Sequence, residues 1–262
     1  MGSLQKEKNF FRSISRNIIS LVEREFRKQR VFPKGTEAFN LQTTLDTQVE
    51  KMILENLEKQ FPGDAVLAEE TKSDENIMQK GRLWIIDPIC GTIKMTRGMT
   101  GFCTSVALGL DRKIIAGCVI DHSRKEYIWS TGEKKIFVGK TEVIPKRYPQ
   151  TMVEVNLAAL SYWDASIRKS MQNFMSQVLL EESLMVKSSA TALDFAYVAL
   201  GRVDAYVSPY HHIWDVPAAN FLIEQAGGIV TDIEGKPWTL DKTSTLAALD
   251  KKLHAKLLRL LK

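Results

Sequence analysis

The stretch from Trp84 to Met95, WIIDPICGTIKM, brings a carboxylate to the end of an apolar run. Asp87 leads the turn, and Cys90 stands where a second carboxylate would complete a metal bridge. Glu69 and Glu70 follow another apolar run, AVLA. Asp215 comes just ahead of Pro217, and Asp46 opens an amphipathic segment. Carboxylates collected at strand ends suit Mg2+, a hard cation that takes oxygen ligands. Each also has a plainer role. Glu69-Glu70 could form a solvated turn, and Asp215 could cap a helix whose first turn carries proline. Gly91-Thr92, between a strand and a helix, either offers free backbone N–H groups to an anion or is a turn with a Thr cap.

The elements that must position these residues follow from hydrophobic period. Phe11, Ile14, Ile18, Val22 and Phe26 recur every three or four residues and predict a long amphipathic helix. Pro33 and Gly35 break it. Leu45, Val49, Ile53, Leu57 and Phe61 predict a second helix, ended by Pro62-Gly63. Short strands follow at AVLA, LWII, TSVALGL and IIAGCVI, the last two forming a hairpin around Asp111-Arg112-Lys113. EYIWS and KIFVG extend an antiparallel meander. Beyond the turn-rich Pro145–Gln150, strands at MVEVN, LMVK, VDAYVS and GGIVTDI alternate with helices over Trp163–Leu180, Thr191–Leu200, Pro217–Ala226 and Thr245–Leu261. Such alternation predicts α/β layers. The change of pattern sets a boundary near residue 147, with an N-terminal α+β half over 1–147 carrying the metal loop and a C-terminal α/β half over 148–262.

The 262 residues carry 36 Lys and Arg against 31 Asp and Glu, a net charge of +5. The basic runs near both ends read as solvated helix faces, so nucleic acid is not an expected partner. The 3 cysteines, Cys90, Cys103 and Cys118, form no CxxC pair, which argues against a structural zinc site and a disulfide scaffold. A reducing, cytoplasmic setting is expected. The N-terminal MGSLQKEKNF has no apolar signal core. No apolar run approaches the roughly 18 residues of a membrane span.

Taken in order, AEE, WIIDPICGT and WDVPAANFLIEQAGG resemble the inositol monophosphatase family of Mg2+-dependent sugar-phosphate phosphatases. The resemblance covers most of the chain. It also takes in LQTTLDTQVEKMILENLEKQFP and ATALDFAYVALGRVDAY. It implies a layered αβαβα sandwich of the sugar-phosphatase type, mixed α+β and α/β, with the site between the halves. It implies that Glu69, Asp87 and the Ile89 carbonyl hold one Mg2+, and that Asp87 and Asp215 hold a second together with position 90. Asp46 and Thr92 would orient and activate the attacking water. The amides of Gly91 and Thr92 would hold phosphate. The substrate segment would be Ser189, Ala190 and Thr191. A homodimer acting on a small phosphorylated substrate is implied as well.

The departures bear on function. Cys90 replaces a ligand aspartate, Lys94 falls where the family usually has Asn, and Met95 where it usually has Phe. The local charge rises by about two units. Thiol is a poor Mg2+ ligand and a better one for softer metals, so Mn2+ or Zn2+ are alternatives. Three readings follow: one firm Mg2+ beside a weakened second site; Lys94 supplying charge to the phosphate; or a degenerate site whose fold serves binding or regulation. A cysteine-phosphatase loop is excluded by spacing, since Arg97 lies seven residues after Cys90 and Ile89 precedes it. Ser208 occupies the position where inositol-specific members carry a Glu, so myo-inositol phosphate is not assumed. His211 and His212, near the last ligand, are expected to be surface or packing residues, with contact to an anionic substrate as the alternative.

Overall fold

A computed structural model describes residues 4–34, 41–71, 77–79, 81–157, 164–189 and 191–262. The expected break at Gly35, the helix start at Trp163 and the substrate position Ala190 lie outside the described residues. Helix α1 (Gln5–Glu25) turns Phe10, Phe11, Ile14, Ile18 and Val22 inward. Two short strands, β1 (Val31–Pro33) and β2 (Leu41–Thr43), pair antiparallel ahead of α2 (Thr44–Gln60). Seven strands form the first sheet in chain order: β3 (Ala65–Ala68), β4 (Arg82–Cys90), β5 (Cys103–Leu110), β6 (Lys113–Asp121), β7 (Glu126–Ser130), β8 (Ile136–Val138) and β9 (Thr141–Val143). Only β3 and β4 run parallel; the rest is an antiparallel meander. The β5–β6 turn places Asp111 and Arg112 at φ 48° and 64°, the left-handed pair a two-residue hairpin turn requires.

The second half adds β10 (Thr151–Val155), α4 (Ala165–Leu179), β11 (Leu184–Lys187), α5 (Ala192–Ala199), β12 (Ala205–Ser208), α6 (Pro217–Gln225), β13 (Ile229–Thr231), β14 (Thr245–Ala248) and α7 (Lys251–Leu260). Its five strands run β11-β10-β12-β14-β13, the first three parallel. The expected single helix over Thr245–Leu261 is corrected here. Thr245–Ala248 is a strand, fully buried between β12 and β13, and Asp250 then caps α7 by accepting from the Lys252 and Leu253 amides. Burial on both faces removes the alternation that would have marked a strand in the sequence.

Strand alternation builds the layers. Trp84 and Ile86 of β4 pack under α1 and α2. Leu83 and Ile85, on the opposite face, pack against α5 and α6. Tyr206 and Ala247 of the second sheet close over the other side of that helix pair. Val153, Val207 and Leu246 turn outward onto α4 and α7. The order is therefore helix, sheet, helix, sheet, helix, as expected. One glycine sets the central spacing: a Cβ on Gly117 of β6 would stand 2.7 Å from the Ala218 carbonyl oxygen. That absence lets α6, and Asp215 just before it, sit close against the sheet that carries Asp87.

Candidate active site

Asp87 lies late in β4, paired with Ser105, and the ladder then slips before Cys90 pairs with Cys103. Pro88 falls within this irregularity, where a missing N–H is tolerated. Its carbonyl accepts from Thr104 Oγ1 at 2.7 Å. Gly91 follows with φ +95° and leads into α3 (Thr92–Thr96). A Cβ there would meet Thr191 Cγ2 at 2.8 Å, so both conformation and space demand glycine. Thr191 thereby presses the start of α5 against the loop of α3.

The acidic residues converge. Oxygens of Asp87 and Asp215 and the Cys90 sulfur all lie within 4.8 Å of one another. Glu69 continues the β3–β4 ladder through its amide to the Ile86 carbonyl at 3.2 Å. Asp215 is fixed by a local turn: its amide donates to the His212 carbonyl, and the His212 amide donates to its Oδ2 at 2.7 Å. It does not cap α6, whose N-cap is Val216. Nor is Glu69-Glu70 a solvated turn. Lys34 Nζ pairs with Glu69 at 3.4 Å and Glu70 at 2.9 Å, and Glu70 also accepts from Gln42 at 2.7 Å.

Electrostatics match this crowding. Burial, with Glu70 and Asp215 nearby, pushes Glu69 up to about 7 despite Lys34. Burial pushes Asp215 up to about 7 against the His212 amide. Asp87 is raised well above the carboxylate range, first by burial and then by Cys90, Glu69 and Asp215. The Cys90 thiol is raised by its hydrogen bond with Cys103 and by burial. Asp87 Oδ1 and Glu70 Oε1 are buried without a hydrogen-bond partner. Acidic groups that raise one another and leave oxygens unpaired fit a divalent cation, which would neutralise them together.

Asp46 stands at the third position of α2 in a capping box with Thr43, and burial raises its carboxyl against the Thr43 and Thr92 hydrogen bonds. Its Oδ2 accepts from the Thr43 amide at 2.9 Å. Thr92 Oγ1 lies 3.0 Å from Asp46 Oδ1 and 3.0 Å from the Ile89 carbonyl oxygen. Lys94 is half-buried on α3, its Nζ 3.7 Å from where a Gly101 Cβ would stand.

On the other side, Ser189 Oγ donates to Asp194 Oδ2 at 2.5 Å, and Thr191 Oγ1 donates to the Gly101 carbonyl at 3.2 Å or to Asp194 at 3.1 Å. Ser208 is fully buried and donates to the Tyr210 carbonyl at 2.7 Å, so its hydroxyl is turned into the fold. His211 is a packing residue: it is buried, and its Nε2 meets Thr245 Oγ1 at 2.9 Å. His212 stacks on Trp214 with ring centroids 5.2 Å apart. Sequence reasoning missed Lys34, the Cys103 neighbour of Cys90, and the Lys187 bridge between Glu154 and Asp194. Cys103 was within reach, through the register of two strands already expected. Lys34 had no signal, lying far in sequence from the carboxylates it pairs.

Strand-end carboxylates meet an aspartate from the turn before α6 across a layered sandwich, a donor set that fits a divalent cation. The chain belongs to the inositol monophosphatase family, whose sequence profile matches residues 3–262. That family is one of phosphoric monoester hydrolases, and the chain is classed with them. It is 30% identical over 205 residues to the fructose-1,6-bisphosphatase/inositol-1-monophosphatase of Thermotoga maritima, covering 78% of this chain and 75% of that protein. It is 30% identical over 200 residues to the Nus factor SuhB of Xylella fastidiosa, covering 73% and 68%. The structure of an IMPase/NADP phosphatase complexed with Mg2+ and phosphate shares the fold at TM-score 0.81 and 21% identity, over 98% of this chain and 95% of that one. Among the described residues, no helix is long and apolar enough to cross a membrane.

Proposed function

We propose that this chain hydrolyses a small phosphate monoester of the inositol- or sugar-phosphate class with Mg2+, and that Cys90 retunes its second metal position. The observation that carries this reading is the cluster of Asp87, Asp215 and Cys90 within 4.8 Å, with Asp87 Oδ1 buried and unpaired. Glu69, Asp87 and the Ile89 carbonyl would hold the first ion; Asp87, Asp215 and Cys90 would surround the second. Bound Mg2+ would neutralise the phosphoryl oxygens and make water more acidic. Mn2+ or Zn2+ would enter the same donors, with Cys90 favouring the softer ion.

The chain's own part is positioning and proton management. Thr92 donates its hydroxyl proton to Asp46, which leaves its oxygen lone pairs to accept from the attacking water and hold it in line. The Gly91 and Thr92 amides bind phosphoryl oxygens, and Lys94 adds positive charge beside them. Ser189 and Thr191 would border the substrate. Ser208 supplies no carboxylate to a polyol, which widens the choice of leaving group. A homodimer in the cytoplasm, with no nucleic-acid partner, completes the reading.

The test is phosphate release from a panel of sugar, inositol and nucleotide phosphates with Mg2+, comparing wild type with Cys90→Asp. Restoring the oxygen ligand raises Mg2+ affinity and turnover. No turnover by either protein refutes the hydrolase reading. The second reading, a regulatory protein with a degenerate site, draws on Cys90 itself and on the SuhB relative; it predicts that only Cys90→Asp releases phosphate.

A further inference from the structure

The Cys90 sulfur belongs to a donor set that Mg2+ chemistry leaves unexplained. Asp87, Cys90 and Asp215 each offer one ligand atom, all within 4.8 Å of one another. Asp87 is only 1% exposed, yet its Oδ1 has no hydrogen-bond partner. A buried carboxylate oxygen without a donor is costly unless a cation meets it. The sulfur is held in place as well: the Ala192 amide, first in α5, donates to Cys90 Sγ at 3.1 Å. Two oxygens and one sulfur leave room for a fourth ligand, the three-plus-one count of a catalytic zinc site, and the sulfur suits the softer ion. Mg2+ wants an octahedron of oxygens instead.

We infer that Asp87, Cys90 and Asp215 form a site for a thiophilic divalent cation of the zinc class, in place of a second Mg2+. The inference rests on the metal-dependent phosphatase reading and deepens it. Loading forms a sulfur–metal bond and breaks the S–H bond; the proton leaves to solvent, and no electron is transferred. Glu69 and the Ile89 carbonyl keep an all-oxygen character on the other side of Asp87. The centre therefore takes two different metals, a hard one beside Glu69 and a soft one beside Cys90.

Cd2+ is the probe, added to the full chain in saturating Mg2+ and followed by ultraviolet thiolate-to-cadmium charge-transfer absorption. The expected band saturates near one equivalent. It disappears in both Cys90→Asp and Cys90→Ser and persists in Cys118→Ser, whose sulfur sits against Ser15 under α1. X-ray absorption of the Zn2+-loaded protein then shows one sulfur at about 2.3 Å. Circular dichroism verifies that each variant is folded. Absence of the band, or its survival in both Cys90 variants, overturns the inference. Phosphate release with Mg2+ but no band refutes this site alone and spares the phosphatase; a Cys90-dependent band without phosphate release upholds the site.

Discussion

Thr92→Val removes one hydroxyl at nearly constant shape and separates the catalytic contribution of the Asp46–Thr92 pair from packing. Asp46 is fully buried, and Thr92 Oγ1 lies 3.0 Å from its Oδ1. The other oxygen keeps the Thr43 amide at 2.9 Å, so the helix cap survives. Stranding Oδ1 costs about 1–3 kcal/mol. For a chain of this size that lowers Tm by roughly 2–4 °C per kcal/mol. The effect on rate is larger. Losing a positioned general base contributes about 10²–10⁴ in kcat, or about 3–5 kcal/mol of barrier. Steady-state phosphate release at saturating Mg2+ measures it, in the Cys90→Asp background if wild-type turnover is slow. Thr92→Ser retains most of the rate. On the proposed reading, in which Thr92 acts through Asp46, adding Asp46→Asn to Thr92→Val costs far less than the sum of the two. A Thr92→Val enzyme as fast as its parent, or strict additivity in the double variant, refutes the relay.

Gly117→Ala inserts a Cβ 2.7 Å from the Ala218 carbonyl, and the overpacking lowers stability by about 1–3 kcal/mol in urea melts. Moving α6 outward also carries Asp215 away from Asp87, so divalent-metal affinity falls; an unchanged melt and affinity refute the spacing argument. Lys94→Asn weakens inhibition by inorganic phosphate roughly 10- to 100-fold if its ammonium meets the phosphate. Unaltered inhibition rules that role out. Burial lowers His122 to about 3 and His211 to about 4, from an ordinary 6.5. Both are neutral when folded, so their contribution to stability is full above pH 6.5 and is lost as pH falls toward those values. At pH 5 each loss is about 2 kcal/mol. Replacing His211 with Gln flattens the acid slope by that amount in melts between pH 7.5 and 5; an identical slope in the variant contradicts the assignment.

Much of the site was legible in the residues because its ligands follow strand ends or precede a helix. AVLA predicted β3 to the residue, and the apolar run before Asp87 marked the middle of β4, which runs on through Asp87 to Cys90. Sequence order alone grouped Glu69, Asp87 and Asp215 through a resemblance, since nothing local links residue 69 to residue 215. The helix expected at Thr245 failed because a strand buried on both faces loses its period. Position 90 was marked as a departure from its identity alone, but its partners were not visible.

Chain chemistry by itself determined the apolar run LWII ahead of Asp87, the glycine at the α3 entrance and the thiol in place of a carboxylate. Those follow from local hydrophobicity, backbone freedom and side-chain identity, which need no distant partner. Only the tertiary structure decided that Ala192 points its amide at that thiol, that Lys34 reaches two glutamates, and that Gly117 lets α6 bring Asp215 to Asp87. Such contacts depend on how layers far apart in sequence pack, and packing is set by the whole core at once.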